Sequence, residues 1–316
     1  MIFGMTATVL TLLALITSLT SYYIHIKLNR PGFLHTGRVA FYGASALVLL
    51  QAVLLMWGLH THHFEWQYVF SYSALDLSGF YLTATFWGGQ EGTFLLWLLL
   101  GSIYGLVLIR QQLKSESYVM GFLILVQVFI VIILIKKNPF AYVWDVFPQH
   151  FPVGEVPVDG RGLNPLLQNP WMIIHPPILF VGYSSTSILF AFAMAALVTR
   201  RAAEWVDQVF SYSLFVSLAL GTGIILGGYW AYTTLGWGGY WGWDPVENSS
   251  LIPWLTSLAL LHTLLIQRKS GGLYKTNIFL ALLTFLLVLW GSFLTRSGVL
   301  SDFSVHSFSE SDLILS

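Results

Sequence analysis

Residues 237–250 read WGGYWGWDPVENSS. Trp237, Tyr240, Trp241 and Trp243 fall within seven positions, with Gly236, Gly238, Gly239 and Gly242 among them and Trp230 and Trp254 flanking. Indole and phenol rings are rigid apolar surfaces with a hydrogen-bonding group at one edge. Glycine lets backbone approach a ligand closely. Set side by side, these rings would make a flat apolar wall suited to a large planar molecule with acidic substituents. The alternative is an interfacial aromatic belt, but a belt is spread over many helix ends and needs no glycine spacers. Two histidines add a second chemistry: His175 in NPWMIIHPPILF and His306 in TRSGVLSDFSVHSF. Neutral imidazole is a common axial ligand of haem iron. Pro176 and Pro177 remove backbone donors and stiffen the segment that aims His175. Two imidazoles flanking an aromatic wall would make a six-coordinate haem site.

The aromatic run ends in Asp244-Pro245-Val246-Glu247. That is an N-cap residue, proline at the first helical position and glutamate three after the cap. Asp244 and Glu247 are expected to cap a helix, and as caps they could still orient a ligand. His262 lies 17 residues past Pro245, roughly 26 Å along a helix. It is too far away to bind the same porphyrin as the loop. An ionisable residue inside a membrane span is a functional candidate by default, and a helix–helix hydrogen bond is the competing reading. A buried haem held by His262 would need a second intramembrane histidine, for which His25 is a weak candidate. Of the other histidines, His35, His62, His63 and His150 read as solvated loop residues, and His25 and His60 as interfacial hydrogen-bonding groups at span ends.

The elements that must carry these residues follow from composition. The chain has 316 residues, 56% hydrophobic and only 9% charged, where a soluble domain carries about 25%. So little charge cannot cover a water-exposed surface, which excludes a soluble globular enzyme. The 16% aromatic content excludes disorder. Zero net charge gives no reason to expect nucleic acid. There is no cysteine, hence no disulfide, CxxC centre or thiolate-bound metal. A bilayer core about 30 Å thick needs about 20 apolar helical residues. Eight stretches qualify: 3–26, 39–59, 92–109, 118–135, 172–199, 209–230, 250–267 and 276–294. Each must be helical, because lipid offers no partner for a free amide. The first lacks a basic n-region and a small-residue cleavage site, and reads as a retained span.

Charge sets the orientation. Lys27, Arg30, Arg38, Arg110, Lys114, Arg200, Arg201, Arg268, Lys269 and Lys275 fall in loops on one side, ten of the fourteen basic residues. The positive-inside rule puts that side in the cytoplasm and the N-terminus outside. Lys136 and Lys137 fall on the outer side, where they can snorkel to headgroups. Segments 60–91, 136–171, 231–249 and 295–316 are then external. The expected architecture is an all-α polytopic bundle, one membrane domain over 1–316, with its chemistry at the outer face.

The run WGGYWGWDPVENSSLIPWL resembles the tryptophan-rich WWD signature of haem-handling membrane proteins, and the form WGWDPVEN with a following PWL resembles its CcmF branch. FWGGQEGTFLLW (86–97), NPLLQNPWMIIHPPILFVGY (164–183) and FLTRSGVLSDFSVHSF (293–308) agree, so the likeness runs from about Phe86 to Phe308. The resemblance implies a subunit of a cytochrome c haem lyase (synthetase) in the bacterial inner membrane. It implies haem held at the periplasmic face between His175 and His306, with Trp237, Tyr240, Trp241, Trp243, Asp244 and Glu247 around it. Haem would arrive from a membrane-anchored CcmE-like chaperone. It would leave to an apocytochrome CxxCH motif presented with a CcmH-like thiol-handling factor. A permanent haem b inside the membrane is also implied, and His262 matches one of its two ligands. CcmF proteins are usually about twice this length, so a separate C-terminal CcmF half is expected to supply the other ligand. A haem exporter or carrier of the CcmC or CcsA type, and a nitrite-reductase-specific lyase subunit, are the alternatives within the superfamily. A quinol-oxidising membrane cytochrome and a haem-free scaffold are those outside it.

Overall fold

The computed structural model describes residues 2–201, 205–236, 238–297 and 299. Trp237 and His306 lie outside the described residues. Eleven α-helices are present among those described: α1 (Ile2–Leu28), α2 (Pro31–His60), α3 (Gln67–Tyr72), α4 (Gly79–Ala84), α5 (Gln90–Arg110), α6 (Glu116–Lys136), α7 (Val143–Val146), α8 (Pro170–Thr199), α9 (Val206–Thr234), α10 (Pro245–Ser270) and α11 (Tyr274–Arg296). Eight of them are long and apolar enough to cross a membrane, the eight expected from hydropathy. The fold is all-α and polytopic.

Most of these helices overrun the apolar stretch that predicts them. α2 begins at Pro31, a proline in its first turn, so His35 and Arg38 stand on its first turns and not in a loop. α10 starts at the expected place. Asp244 caps it in a complete capping box with Glu247, with Pro245 at the first position. It ends at Gly271, whose φ of +73° suits a residue without Cβ. The short helices α3, α4 and α7 occupy the segments 60–91 and 136–171. These two segments join through a bridge between Trp66 and Tyr142, with Gln67 N–H donating to Ala141 O at 2.8 Å and Val143 N–H to Glu65 O at 3.0 Å.

The chain forms two compact units, one of Met1–Arg110 with Ile124–Ile173, the other of Gln111–Leu123 with the described residues from Ile174 on. In the first, α1 packs along α2 and α2 against α5. Buried polar groups tie them: Ser18 Oγ donates to Gly37 O at 2.7 Å and Gln51 Nε2 to Thr11 Oγ1 at 3.0 Å. In the second, α10 packs on α9 and α11. Ser217 donates to Ser257 (3.1 Å), Thr284 to Thr256 (2.9 Å), Asn277 Nδ2 to Gln267 Oε1 (2.6 Å) and Trp254 Nε1 to Ser217 O (3.0 Å). Small residues and interhelical hydrogen bonds hold membrane helices together where lipid removes the hydrophobic driving force.

Candidate functional site

The tryptophan-rich loop is held by the helix that follows it. Asp244 Oδ1 accepts from Val246 N–H at 2.7 Å. Glu247 Oε2 accepts from the backbone N–H of Asp244 at 3.2 Å and, further back, of Gly242 at 2.9 Å. Asn248 Nδ2 donates to Trp243 O at 3.1 Å. Three side chains of DPVEN, those of Asp244, Glu247 and Asn248, therefore fix the backbone on both sides of Trp243. That residue has φ +56°, a left-handed conformation costing about 1–3 kcal/mol in a bulky residue and kept only where the surroundings over-determine it. The outcome is an exposed Trp243 indole. Asp244 and Glu247 are both buried and committed to backbone; any part they take in ligand contact runs through the loop they position.

The described rings do not form the single flat wall expected. Trp241 and Trp243 are perpendicular, at 87° with centroids 6.2 Å apart, because the left-handed turn at Trp243 swings its indole away. The parallel surface is elsewhere: Tyr240 stacks on Tyr232 of α9, 4.4 Å apart at 8°. The Trp241 indole N–H is buried without a hydrogen-bond partner among the described residues. Trp254, expected beside the loop, is engaged inside the α9–α10 contact.

His175 lies in α8, which continues through Pro176 and Pro177. Its imidazole stacks on Trp230 of α9. Gly227 makes room for it: a Cβ there would sit 3.1 Å from His175 Nδ1. At the next residue, Gly228, a Cβ would sit 2.9 Å from Tyr240 O. The adjacent glycines of α9 thus receive, in turn, the histidine of α8 and the backbone of the tryptophan loop. Sequence reading overlooked this pair; the signal was a GG doublet inside an otherwise bulky apolar span. Arg296, at the end of α11, places its guanidinium 5.2 Å from the centre of the Phe180 ring, five residues along α8 from His175. The structure therefore assembles His175, Tyr240, Trp241, Trp243, Asp244 and Glu247 around one end of α9.

His262 is elsewhere. It is exposed on the face of α10 opposite Leu260 and Leu264, both fully buried. His25 bonds Arg30 O through Nδ1 at 3.1 Å, and His60 bonds Thr83 Oγ1 at 3.1 Å, as expected for interfacial groups. His63 departs from its reading as a solvated loop residue. It lies between Trp57 and Trp66 (centroids 4.3 and 5.2 Å) and bonds Glu65 Oε1 at 2.7 Å. The left-handed turn at His62, φ +57°, folds it back under those rings.

The FWGGQEG segment is a second knot, in the first unit. Tyr68 donates to Thr85 O and Phe86 O at 2.8 and 2.9 Å and accepts from Gly89 N–H at 3.1 Å. A side chain on Gly92 would collide with Phe86 O and Tyr68. Burial, then the neighbouring Tyr72 and Glu91, push the Tyr68 phenol well above its ordinary value. Trp87 Nε1 donates to Met172 O at 3.3 Å, the carbonyl that loses its helical partner because Pro176 has no N–H.

An outer haem fits the residues described. They offer a half-buried imidazole, a buried indole donor without a partner among them, adjacent glycines where side chains would intrude, and a cation, Arg296, of the charge that acidic substituents would need. Of the two imidazoles expected to flank the loop, His175 is the one among the described residues.

A family model described as cytochrome C assembly protein matches residues 87–300. The chain is 40% identical over 279 residues to the cytochrome c-type biogenesis protein CcmF of Pseudomonas aeruginosa, covering 86% of this chain and 40% of that one. It is 38% identical over 273 residues to the CcmF of Haemophilus influenzae, covering 84% and 40%. A solved structure of cytochrome c heme lyase CcmF matches with TM-score 0.81 at 31% identity, over 95% of this chain and 48% of that one. The chain thus spans about 40% of the length of the curated relatives it matches. Its matched region runs from the FWGGQEG knot past the tryptophan loop, and the chain belongs to the cytochrome c assembly protein family.

Proposed function

We propose that this chain acts in cytochrome c biogenesis, holding haem at the outer face of the bacterial inner membrane and passing it to apocytochrome c within a haem lyase complex. The observation that carries this reading is the seat of His175, packed on Trp230 and over Gly227 where the tryptophan loop returns to α9. Imidazole held by packing is a pre-oriented axial ligand. His306 is assigned as the opposite ligand from its sequence context. Tyr240, Trp241 and Trp243, with Trp237, supply apolar surface and an indole donor; Asp244 and Glu247 hold the loop that presents them. Arg296 is suited to pair with a propionate.

Haem is the substrate here, and its vinyl groups are the atoms that receive the client's thiols. With no cysteine of its own, the chain leaves thiol chemistry to the client's CxxCH and the CcmH-like factor beside it. A CcmE-like chaperone is the donor. The client histidine would displace one protein imidazole, and proximity then favours addition of the client thiol across the vinyl double bond, sulfur to the inner carbon and the thiol's proton to the outer one. No side chain of the site acts as acid or base in this scheme. His262, exposed on α10, is assigned to a second, intramembrane haem b whose other ligand comes from outside these residues, from a C-terminal CcmF half. The N-terminus lies on the periplasmic side.

His175→Ala tests the reading. The variant inserts normally, loses outer-site haem absorbance and gives only background holocytochrome. His175→Gly regains haem absorbance with added imidazole. Normal maturation in the alanine variant refutes the ligand role.

A further inference from the structure

A cavity of about 500 Å³ lies between the start of α6, the end of α8 and the start of α9, all within the second unit. Its polar side carries Lys114, Arg201, Trp205 and Gln208; its apolar side carries Phe192, Ala195 and Ala196. Arg201 is positioned by a left-handed turn. Arg200 has φ +56°, its N–H bonds Leu197 O at 3.3 Å, and the Arg201 N–H reaches back to Ala196 O at 3.1 Å. This is the hydrogen-bond pattern that glycine usually completes at a helix end. Arginine holds that turn at a conformational cost.

Trp205 opens α9 as its N-cap residue without a side-chain cap bond. It is 3% exposed, and its indole N–H is buried with no hydrogen-bond partner among the described residues. A buried donor left unmade costs about 1–3 kcal/mol, so an acceptor in the cavity would recover that energy. The first turn of α9, on which Gln208 stands, presents the positive end of a 29-residue helix. The described acids nearby do not reverse this field. Asp207 is paired with Arg268 at 2.9 Å, and Glu116 is buried and not part of the lining. Charge bias places this end of the helices at the cytoplasmic headgroup level.

We propose that the cavity binds a phospholipid, the phosphate held by Lys114, Arg201 and the Trp205 indole N–H at the head of α9, and an acyl chain lying along Phe192, Ala195 and Ala196. Basic pockets between membrane helices on the cytoplasmic side are suited to anionic lipid headgroups. The apolar wall distinguishes a lipid from free phosphate, which would leave it empty.

The test is native mass spectrometry and thermal unfolding of the full chain in detergent. The probes are phosphatidylglycerol, diacylglycerol with the same acyl chains, and inorganic phosphate. Phosphatidylglycerol should bind one per chain and raise Tm; diacylglycerol and inorganic phosphate should do neither at matched concentration. Trp205→Phe removes only the donor, and Lys114→Gln only an exposed charge. Each should weaken phosphatidylglycerol binding about tenfold, the size expected for a lost charge-assisted hydrogen bond. Arg201→Gln should do the same, and the first two variants decide the matter if it fails to fold. Equal binding by inorganic phosphate, or by diacylglycerol, overturns the lipid assignment. Unchanged phosphatidylglycerol binding in both Trp205→Phe and Lys114→Gln overturns the site.

Discussion

The imidazole of His175 lies against the indole of Trp230 with ring centroids 5.9 Å apart and planes 25° from parallel. Trp230 is itself buried on α9, so the histidine rests on a ring held by its own packing. One helical turn back, Gly227 leaves open the volume beside Nδ1. Packing against Trp230 and Gly227 therefore contributes to the direction of this ring. A metal ligand is as good as the groups that orient it.

Gly227→Ala tests that orientation directly. Its methyl would lie 3.1 Å from His175 Nδ1, close enough that the imidazole must shift by a few tenths of an ångström. The variant should insert and fold, yet retain several-fold less haem per chain, read as Soret absorbance of the purified protein. Trp230→Leu should act the same way by removing the stacking face. Wild-type haem content in both would show that the ring is oriented by something else.

Glu247 makes a different prediction, because its carboxylate serves the loop and the helix at once. Glu247→Ala frees two backbone donors at the loop's exit, a loss of about 1–2 kcal/mol each when buried donors go unsatisfied. Glu247→Gln keeps an acceptor oxygen and should cost far less. The expected order is wild type, then glutamine, then alanine, in protection of the 238–243 backbone from hydrogen exchange. Haem retention should follow the same order, since the loop presents Tyr240, Trp241 and Trp243. Equal protection in the alanine variant would mean that the loop is fixed without Glu247.

The helices and the DPVE cap were legible in the sequence for the same reason: both are local. Lipid forces an apolar run to be helical, and a cap is set by residues three apart. What could not be read depends on contacts distant in sequence or on single backbone angles. The perpendicular setting of Trp241 and Trp243 follows from a positive φ that a tryptophan does not advertise. The enclosure of His63 needs both the turn at His62 and the placing of Trp57 and Trp66 around it. The seat of His175 needs Gly227, 52 positions away and recognisable only once α8 is laid on α9. The contact of Trp87 with Met172 rests on one indole and one carbonyl freed by a proline.

Gly92 should tolerate no side chain. Its Cβ position is occupied by Phe86 O and the Tyr68 hydroxyl, a backbone oxygen and a ring held by three hydrogen bonds. Neither can withdraw without opening the 85–92 turn. Gly92→Ala should therefore lower Tm by more than an ordinary overpacking change of about 1–3 kcal/mol. Gly43→Ala, inside α2 and meeting no atom within 4 Å, should hold or slightly raise Tm, since alanine favours a helix interior over glycine, and serves as the control. A Gly92→Ala protein as stable as the control would show that the turn rearranges freely.

Tyr68 carries the alkaline limit of this knot. Burial raises its phenol well above the ordinary value, with smaller contributions from Tyr72 and Glu91. The unfolded chain then loses this proton first as pH rises. Below the ordinary tyrosine value of about 10 both states are protonated, and the stability of the knot is fully present. Above it the unfolded state binds fewer protons than the folded one, so stability falls, by up to about 1.4 kcal/mol per pH unit, until the folded phenol ionises too. Tyr68→Phe should be less stable at pH 8, because the Gly89 N–H loses its acceptor and two carbonyls lose their donor. The same variant should decline less steeply between pH 10 and the folded value, since its titrating group is gone. Thermal unfolding of both proteins across that range decides: parallel curves above pH 10 would mean that Tyr68 ionises as freely in the folded chain as in the unfolded one.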